Sequence, residues 1–401
     1  MSRWMMMLAL TACQPGPEQL AEDMNLTRYL GQASVSELRP TPELGQSTTY
    51  TFEVGSGPSC MRGDPFQMAT RDREGSNDVV VFLQGGGACW DEFCLAVVKA
   101  PDGIPDVDIL RTDLSNNPVA DWNVVYLPYC DGSLFAGDLD VDEDGDGEAD
   151  RYQRGLANLS AALDIAREAY PSPDRVLLTG SSGGALGAML NMPLVRHVWP
   201  DAELMVMTDS GAGVARGQQE PGFVTGLAEA FNADGYLPPD CPDCFDEGHM
   251  APFVDWYLEH DAGVRYGMFS SWYDTIIGDM FMDVPADQFR DDLAGETGRT
   301  HARFPDRYRR FIVDGGMHTT LLGNPIGIIG DDLSSLEFPL DIFSALSNLS
   351  LGSLETTQTQ AGDRFDAWLQ GLIDGESDGW QDLQDEPGEA PVWESNNDDD
   401  D

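Results

Sequence analysis

The chain has 401 residues, 41% of them hydrophobic and 9% aromatic, enough for a sizeable core. Its 70 acidic and 22 basic residues leave a net charge of −48. Such a surface repels phosphate and anionic membranes, which argues against nucleic-acid binding and polyanionic substrates, and no apolar run is long enough to span a bilayer as a helix.

At the N-terminus, Arg3 is followed by an apolar stretch from Trp4 to Leu10 and by Leu10-Thr-Ala-Cys13. This pattern predicts a lipoprotein-type signal peptide over 1–13, with Cys13 lipidated, an exported chain, and contact with a membrane only through that lipid. Residues 14–45 are polar and proline-bearing and read as a tether. The folded domain is expected over 46–372, and the Asp- and Glu-rich stretch 373–401 as a disordered tail. The basic residues are almost all arginine, Lys99 being the one lysine. High acidity with few lysines fits a protein kept soluble at high salt, and equally a chain with biased codon usage and an acidic tail.

In the domain, Thr48–Val54 alternates as an edge strand does. Continuous apolar runs at Asp78–Leu83, Trp122–Leu127, Arg175–Thr179, Glu203–Thr208, Val264–Phe269 and Arg310–Val313 predict buried strands, and helical spacing covers Leu156–Ala169 and Ala185–His197. Alternation of this kind predicts one α/β domain: an α/β-hydrolase-like, mostly parallel sheet with helices on both faces.

Six cysteines remain after Cys13. An even number in an exported chain reads as disulfides. Proximity pairs Cys89 with Cys94 and Cys241 with Cys244, leaving Cys60 with Cys130. The Cys241–Cys244 spacing also suits zinc or a redox pair, but no second ligand pair stands nearby.

Chemistry concentrates in four places. Gln84-Gly-Gly-Gly-Ala88 follows a strand, and its glycines let backbone N–H groups of Gly86, Gly87 and Ala88 approach a developing oxyanion. Neither a Walker lysine nor a dinucleotide spacing follows, so a phosphate loop is excluded. Gly180-Ser-Ser-Gly-Gly184 sits between a strand and a helix, the context of a nucleophile elbow, with Ser182 in register and the Gly183 N–H as a further oxyanion donor. A serine needs a base. Of the five histidines, His318 follows the last strand through Asp314-Gly-Gly-Met317, where that base belongs. The orienting acid must follow a strand between them: Asp274 after the later strand is preferred over Asp209, which is expected to support the site.

The runs Gly85–Cys89, Pro128–Gly132, Gly180–Gly184, Asp209–Gly211, Trp272–Asp274 and His318 occur in the order seen in the pectin acetylesterase/Notum family, which the chain resembles over about residues 55–325. The resemblance implies an α/β-hydrolase fold, a catalytic triad of Ser182, Asp274 and His318, and oxyanion donors at Gly87, Ala88 and Gly183. It departs at Ala88, where the family carries tryptophan, at Gly183, where it carries alanine, and around His318.

A fifth feature stands apart. Asp138 to Asp150 places Asp140, Asp142, Asp144 and Asp146 at alternate positions with Gly145 and Gly147, like a calcium loop. The twelfth position is Arg151 rather than Glu, so Asp150 is the expected late ligand. A solvated acidic insertion explains the same residues.

The sequence therefore predicts a serine carboxylesterase, a monomer, acting on a small ester or acylated glycan with an O-acetyl or other short acyl group. No cofactor is needed for the chemistry, and calcium would be structural. The rival is a non-catalytic surface lipoprotein that binds calcium or another ligand on the same fold.

Overall fold

The computed structural model describes residues 16–41, 47–90, 93–245, 247–325, 336–337, 350–375 and 378–392; Cys13 and 393–401 lie outside them. In chain order the strands among these residues are β1 (Val35–Thr41), β2 (Ser47–Phe52), β3 (Gln67–Arg71), β4 (Val79–Leu83), β5 (Gly87–Trp90), β6 (Phe93–Val97), β7 (Asn123–Leu127) and β8 (Leu139–Val141). There follow β9 (Arg151–Gln153), β10 (Arg175–Ser181), β11 (Glu203–Asp209), β12 (Arg265–Ser271), β13 (Tyr308–Val313), β14 (Leu336–Glu337) and β15 (Leu383–Gln384). The helices are α1 (Leu20–Asp23), α2 (Gly155–Ala169), α3 (Gly183–Leu190), α4 (Met192–Val198), α5 (Phe223–Ala230), α6 (Ala251–His260), α7 (Ala286–Arg303) and α8 (Phe365–Asp374).

Ten strands form one sheet in the order β1-β2-β3-β7-β4-β10-β11-β12-β13-β15. From β7 to β15 every pairing is parallel, and β1, β2 and β3 add an antiparallel flank. The central strands are apolar throughout because both faces are covered. Side chains alternate between faces, so β4 sends Val79, Val81 and Leu83 into one core and Val80 and Phe82 into another. The first core takes residues from α2 to α7. The second is closed by α8, through Phe365, Trp368, Leu369 and Leu372, and by the irregular segment from Ile104 to Trp122. The expected α/β-hydrolase-like sheet is present, with its two faces unequally helical.

Three boundaries differ from expectation. The tether is folded: Leu20, Ala21, Met24 and Leu26 are buried in the first core, and β1 pairs with β2, which is therefore not the edge. Its apolar residues are too few to show a period, yet they seal the outside of α2 and α4. The acidic stretch is also partly folded among its described residues. Trp380 is buried against Trp368, and β15 extends the sheet. Its composition hid a tryptophan and a two-residue strand. Finally, the run Ala185–His197 is two helices, broken at Asn191 ahead of Pro193, which stands in the first turn of α4.

The three disulfides form as paired from proximity: Cys60–Cys130, Cys89–Cys94 across the β5–β6 hairpin, and Cys241–Cys244.

Candidate active site

The candidate site lies at the C-terminal ends of the parallel strands. Ser182 follows β10 directly and caps α3, with φ 57° and ψ −127°. A non-glycine residue there is strained, and the surrounding structure must hold it. The holding is visible. Ser182 N–H donates to the Asp209 carbonyl at 2.8 Å, and the flanking glycines allow the backbone to close up. A Cβ on Gly180 would stand 2.4 Å from the Gly184 oxygen, and one on Gly184 would stand 2.1 Å from the Leu83 oxygen. Gly183, which replaces the alanine of the resembled family, would place a Cβ 2.8 Å from the Gly87 carbonyl oxygen.

Gly87 has φ +82°, and a Cβ there would fall 1.9 Å from the Leu95 oxygen. The loop after β4 can therefore turn straight into β5 and bring its backbone alongside Gly183. Gly87, Ala88, Ser182 and Gly183 line one small cavity. Gly86 does not reach it: its carbonyl accepts from Val97 N–H, and its α-carbon packs on the Tyr129 ring. Three of the four expected oxyanion residues thus share the cavity with the serine.

Asp274 and His318 meet in the interior, both fully buried. The imidazole Nδ1 lies 2.9 and 3.0 Å from the two carboxylate oxygens. Asp274 Oδ1 also accepts from the N–H groups of Ile276 and Ile277, at the start of the π-helix Thr275–Phe281. With the Nδ1 proton assigned toward the carboxylate, Nε2 carries the lone pair, and this buried nitrogen has no hydrogen-bond partner among the described residues. The other histidines are engaged elsewhere. His197, His260 and His301 each bond a main-chain carbonyl through Nδ1, and His249 Nδ1 accepts from Ala215 N–H.

Asp209 is not next to the imidazole in the manner of Asp274. Its carboxylate accepts from Ser181 Oγ at 2.6 Å, Thr320 N at 2.8 Å and Leu321 N at 3.0 Å. Ser210 adds an acceptor for Thr319 N. The Asp209-Ser210 pair therefore ties the end of the serine strand to the loop that carries His318. Burial pushes the Asp209 carboxyl up to about 6, against the lowering effect of these bonds.

The rest of the cavity wall is apolar: Trp90, Leu134, Leu186, Phe223, Leu227, Met250, Ile277, Phe281 and Met282. Sequence reading missed this wall. One signal was available, since Ile277 and Phe281 are four apart directly after the acid. Trp90 shows why Ala88 can replace the family's tryptophan. The indole reaches the cavity from two residues later, packed on Phe93 and Phe223.

The acidic loop joins β8 to β9 and gathers only part of the expected ligand set. The carboxylates of Asp142, Asp144 and Asp146 lie within 4.8 Å of one another and are exposed. Asp140 is instead paired with Arg154, and Asp150 accepts from the N–H groups of Glu143 and Asp144. Three of the five carboxylates thus stand together, while Asp140 is engaged by Arg154.

Residues 53–220 match the family model described as pectinacetylesterase. The resemblance read from the motifs therefore holds. The matched segment contains the glycine run, Ser182 and Asp209 but ends before Asp274 and His318. The chain is 30% identical over 179 residues to pectin acetylesterase 4 of Arabidopsis thaliana, covering 42% of this chain and 39% of that protein. It is 28% identical over 251 residues to pectin acetylesterase 11 of the same plant, covering 57% and 58%. To palmitoleoyl-protein carboxylesterase notum2 of Xenopus laevis it is 24% identical over 224 residues, covering 47% and 44%. The chain thus spans between about two fifths and three fifths of the length of these relatives. No helix among the described residues is long and apolar enough to cross a membrane.

Proposed function

We propose that the protein is a serine carboxylesterase working through an acyl-enzyme. Ser182 Oγ attacks the ester carbonyl, His318 Nε2 takes its proton and returns it to the leaving alcohol, and Asp274 fixes the tautomer and steadies the imidazolium. The N–H groups of Gly87, Ala88 and Gly183 receive the oxyanion. Water then repeats the sequence on the acyl-enzyme and frees the acid. The observation that carries this reading is the buried Asp274–His318 hydrogen bond that leaves Nε2 unpartnered.

The apolar cavity wall suits the carbon chain of an acyl group, within the acetyl or other short acyl class read from the sequence. The lining is almost wholly apolar side chain, and each CH₂ buried against it contributes about 0.8 kcal/mol. The relatives' names bracket the choice between acetyl and palmitoleoyl esters. We expect nitrophenyl esters of about four to eight carbons to give the highest kcat/KM, and Ser182→Ala to lower turnover by on the order of 10⁴-fold or more. An optimum at acetate would remove the role given to the apolar wall, and unchanged turnover in Ser182→Ala would remove the serine from the mechanism. Export, with a lipid at Cys13, is part of the same proposal, supported by the three disulfides.

A further inference from the structure

Beyond the serine, acid and base, the structure holds an element that the chemistry above leaves unused. After β15, the chain from Asp385 to Gly388 leaves the sheet edge and crosses the ends of β12 and β13. There it meets both loops of the acid–base pair. Trp272 Nε1 donates to the Asp385 carbonyl at 2.8 Å, and Tyr273 Oη donates to the Gly388 carbonyl at 2.7 Å. These two residues immediately precede Asp274. On the other loop, Asp314 N–H donates to Asp385 Oδ2 at 3.1 Å, and Gly388 N–H donates to Asp314 Oδ1 at 2.7 Å. Asp314 opens the turn that ends in His318. The strap is itself anchored. Arg310 bonds Asp382 through both guanidinium arms, Asp385 N–H donates to the Ile312 carbonyl, and Gln360 N–H donates to Asp385 Oδ1. Trp272, Tyr273 and Asp385 are buried, so the Trp272–Asp385 bond lies in the interior, whereas Gly388 is exposed and its bond to Asp314 lies at the surface.

We propose that the segment Asp382–Gly388 is a strap that sets the alignment of Asp274 with His318, and that Trp272, Tyr273 and Asp314 are the positioning residues through which it acts. The inference rests on the esterase reading for its catalytic consequence. Two loops that each end in a member of a hydrogen-bonded pair can shift independently. A segment that bonds both removes that freedom, and a displacement of about 1 Å at such a pair costs up to 10²-fold in rate.

The test uses the full chain, a chain ending at Glu386, and Tyr273→Phe. The shortened chain keeps β15, Asp385 and the anchor at Arg310, and loses the Gly388 bonds together with the packing of Ala390 on the first core; Tyr273→Phe removes the Gly388 bond without that packing. Each change is expected to lower kcat roughly 10- to 100-fold with KM within about twofold. The acid limb of the pH–rate profile should move to lower pH, because an imidazolium with a misaligned carboxylate releases its proton more readily. Since Tyr273 and the truncation share one hydrogen bond, the double change should cost no more than the truncation. The low-field Nδ1–H proton resonance of His318 should broaden or shift upfield in both. A fall in melting temperature with kcat, acid limb and resonance unchanged would make the strap a matter of stability alone and overturn the proposal. If the full chain hydrolyses no ester, the esterase reading fails, and the resonance still decides whether the strap aligns the pair.

Discussion

Two carboxylates compete for the role of acid, and their surroundings separate them. Asp274 faces the imidazole with both oxygens, whereas Asp209 spends its lone pairs on Ser181, Thr320 and Leu321. Asp274→Asn should therefore lower kcat by on the order of 10⁴-fold, the cost of the wrong tautomer. Asp209→Asn should cost less, and mostly in stability. A larger catalytic loss at Asp209 in steady-state assays would reverse the assignment. The pH dependence differs too. An Asp209 pKa raised to about 6 in the folded state means that the fold binds this proton more tightly than the unfolded chain does. The stabilisation it brings is complete below about pH 4 and is lost as pH rises through about 6, on the order of 3 kcal/mol in all. Melting temperatures of the protein and of Asp209→Asn across pH 4–7 should therefore diverge in favour of the variant as pH rises. Parallel curves would show that Asp209 does not titrate in that window.

The elements that present these residues were largely legible. The six buried strands, the elbow turn and the order serine, acid, histidine follow from apolar runs and glycines at tight turns, features that are local in sequence. What escaped was non-local. α7, with mean polarity and few apolar positions, gave no clear period, and β5, β6 and β15 are two to five residues long. The cavity wall collects residues from the glycine loop, α5 and the π-helix after Asp274, which no single window contains. The acidic loop, too, depends on a distant residue, since Arg154 pairs with Asp140. The elbow's glycines, by contrast, are fixed by sterics at one spot. Gly184→Ala would drive a Cβ against the Leu83 and Gln84 carbonyl oxygens, and backbone cannot step aside as a side chain can. We expect it to destabilise the protein by about 3 kcal/mol or more, read as a lower midpoint in chemical denaturation. A midpoint within experimental error of the parent would mean that α3 can slide on β4.

For the molecule as a whole, the −48 charge governs approach rather than chemistry. An ester on a polyanionic carrier such as acetylated pectin should react slowly at low salt, where the Debye length is about 30 Å at 0.01 M, and faster as it shortens to about 8 Å at 0.15 M. A neutral acetylated glycan should show little change. Equal salt response of kcat/KM on the two polymers would assign the charge to solubility alone.

The strap also sets an order of events in time. Trp272 must wait for Asp385, 113 residues further along the chain, before its indole N–H finds a partner. At a synthesis rate of about 5–20 residues per second, that interval is roughly 6 to 23 seconds. During it the serine strand, the glycine loop and the histidine can all have been made while the loops that aim them remain untied. A chain still attached to the ribosome, or one being threaded through a membrane unfolded, would thus carry every reactive side chain of the site in an unaligned state. The alignment proposed for the strap would be added only once residues 382–388 have been released.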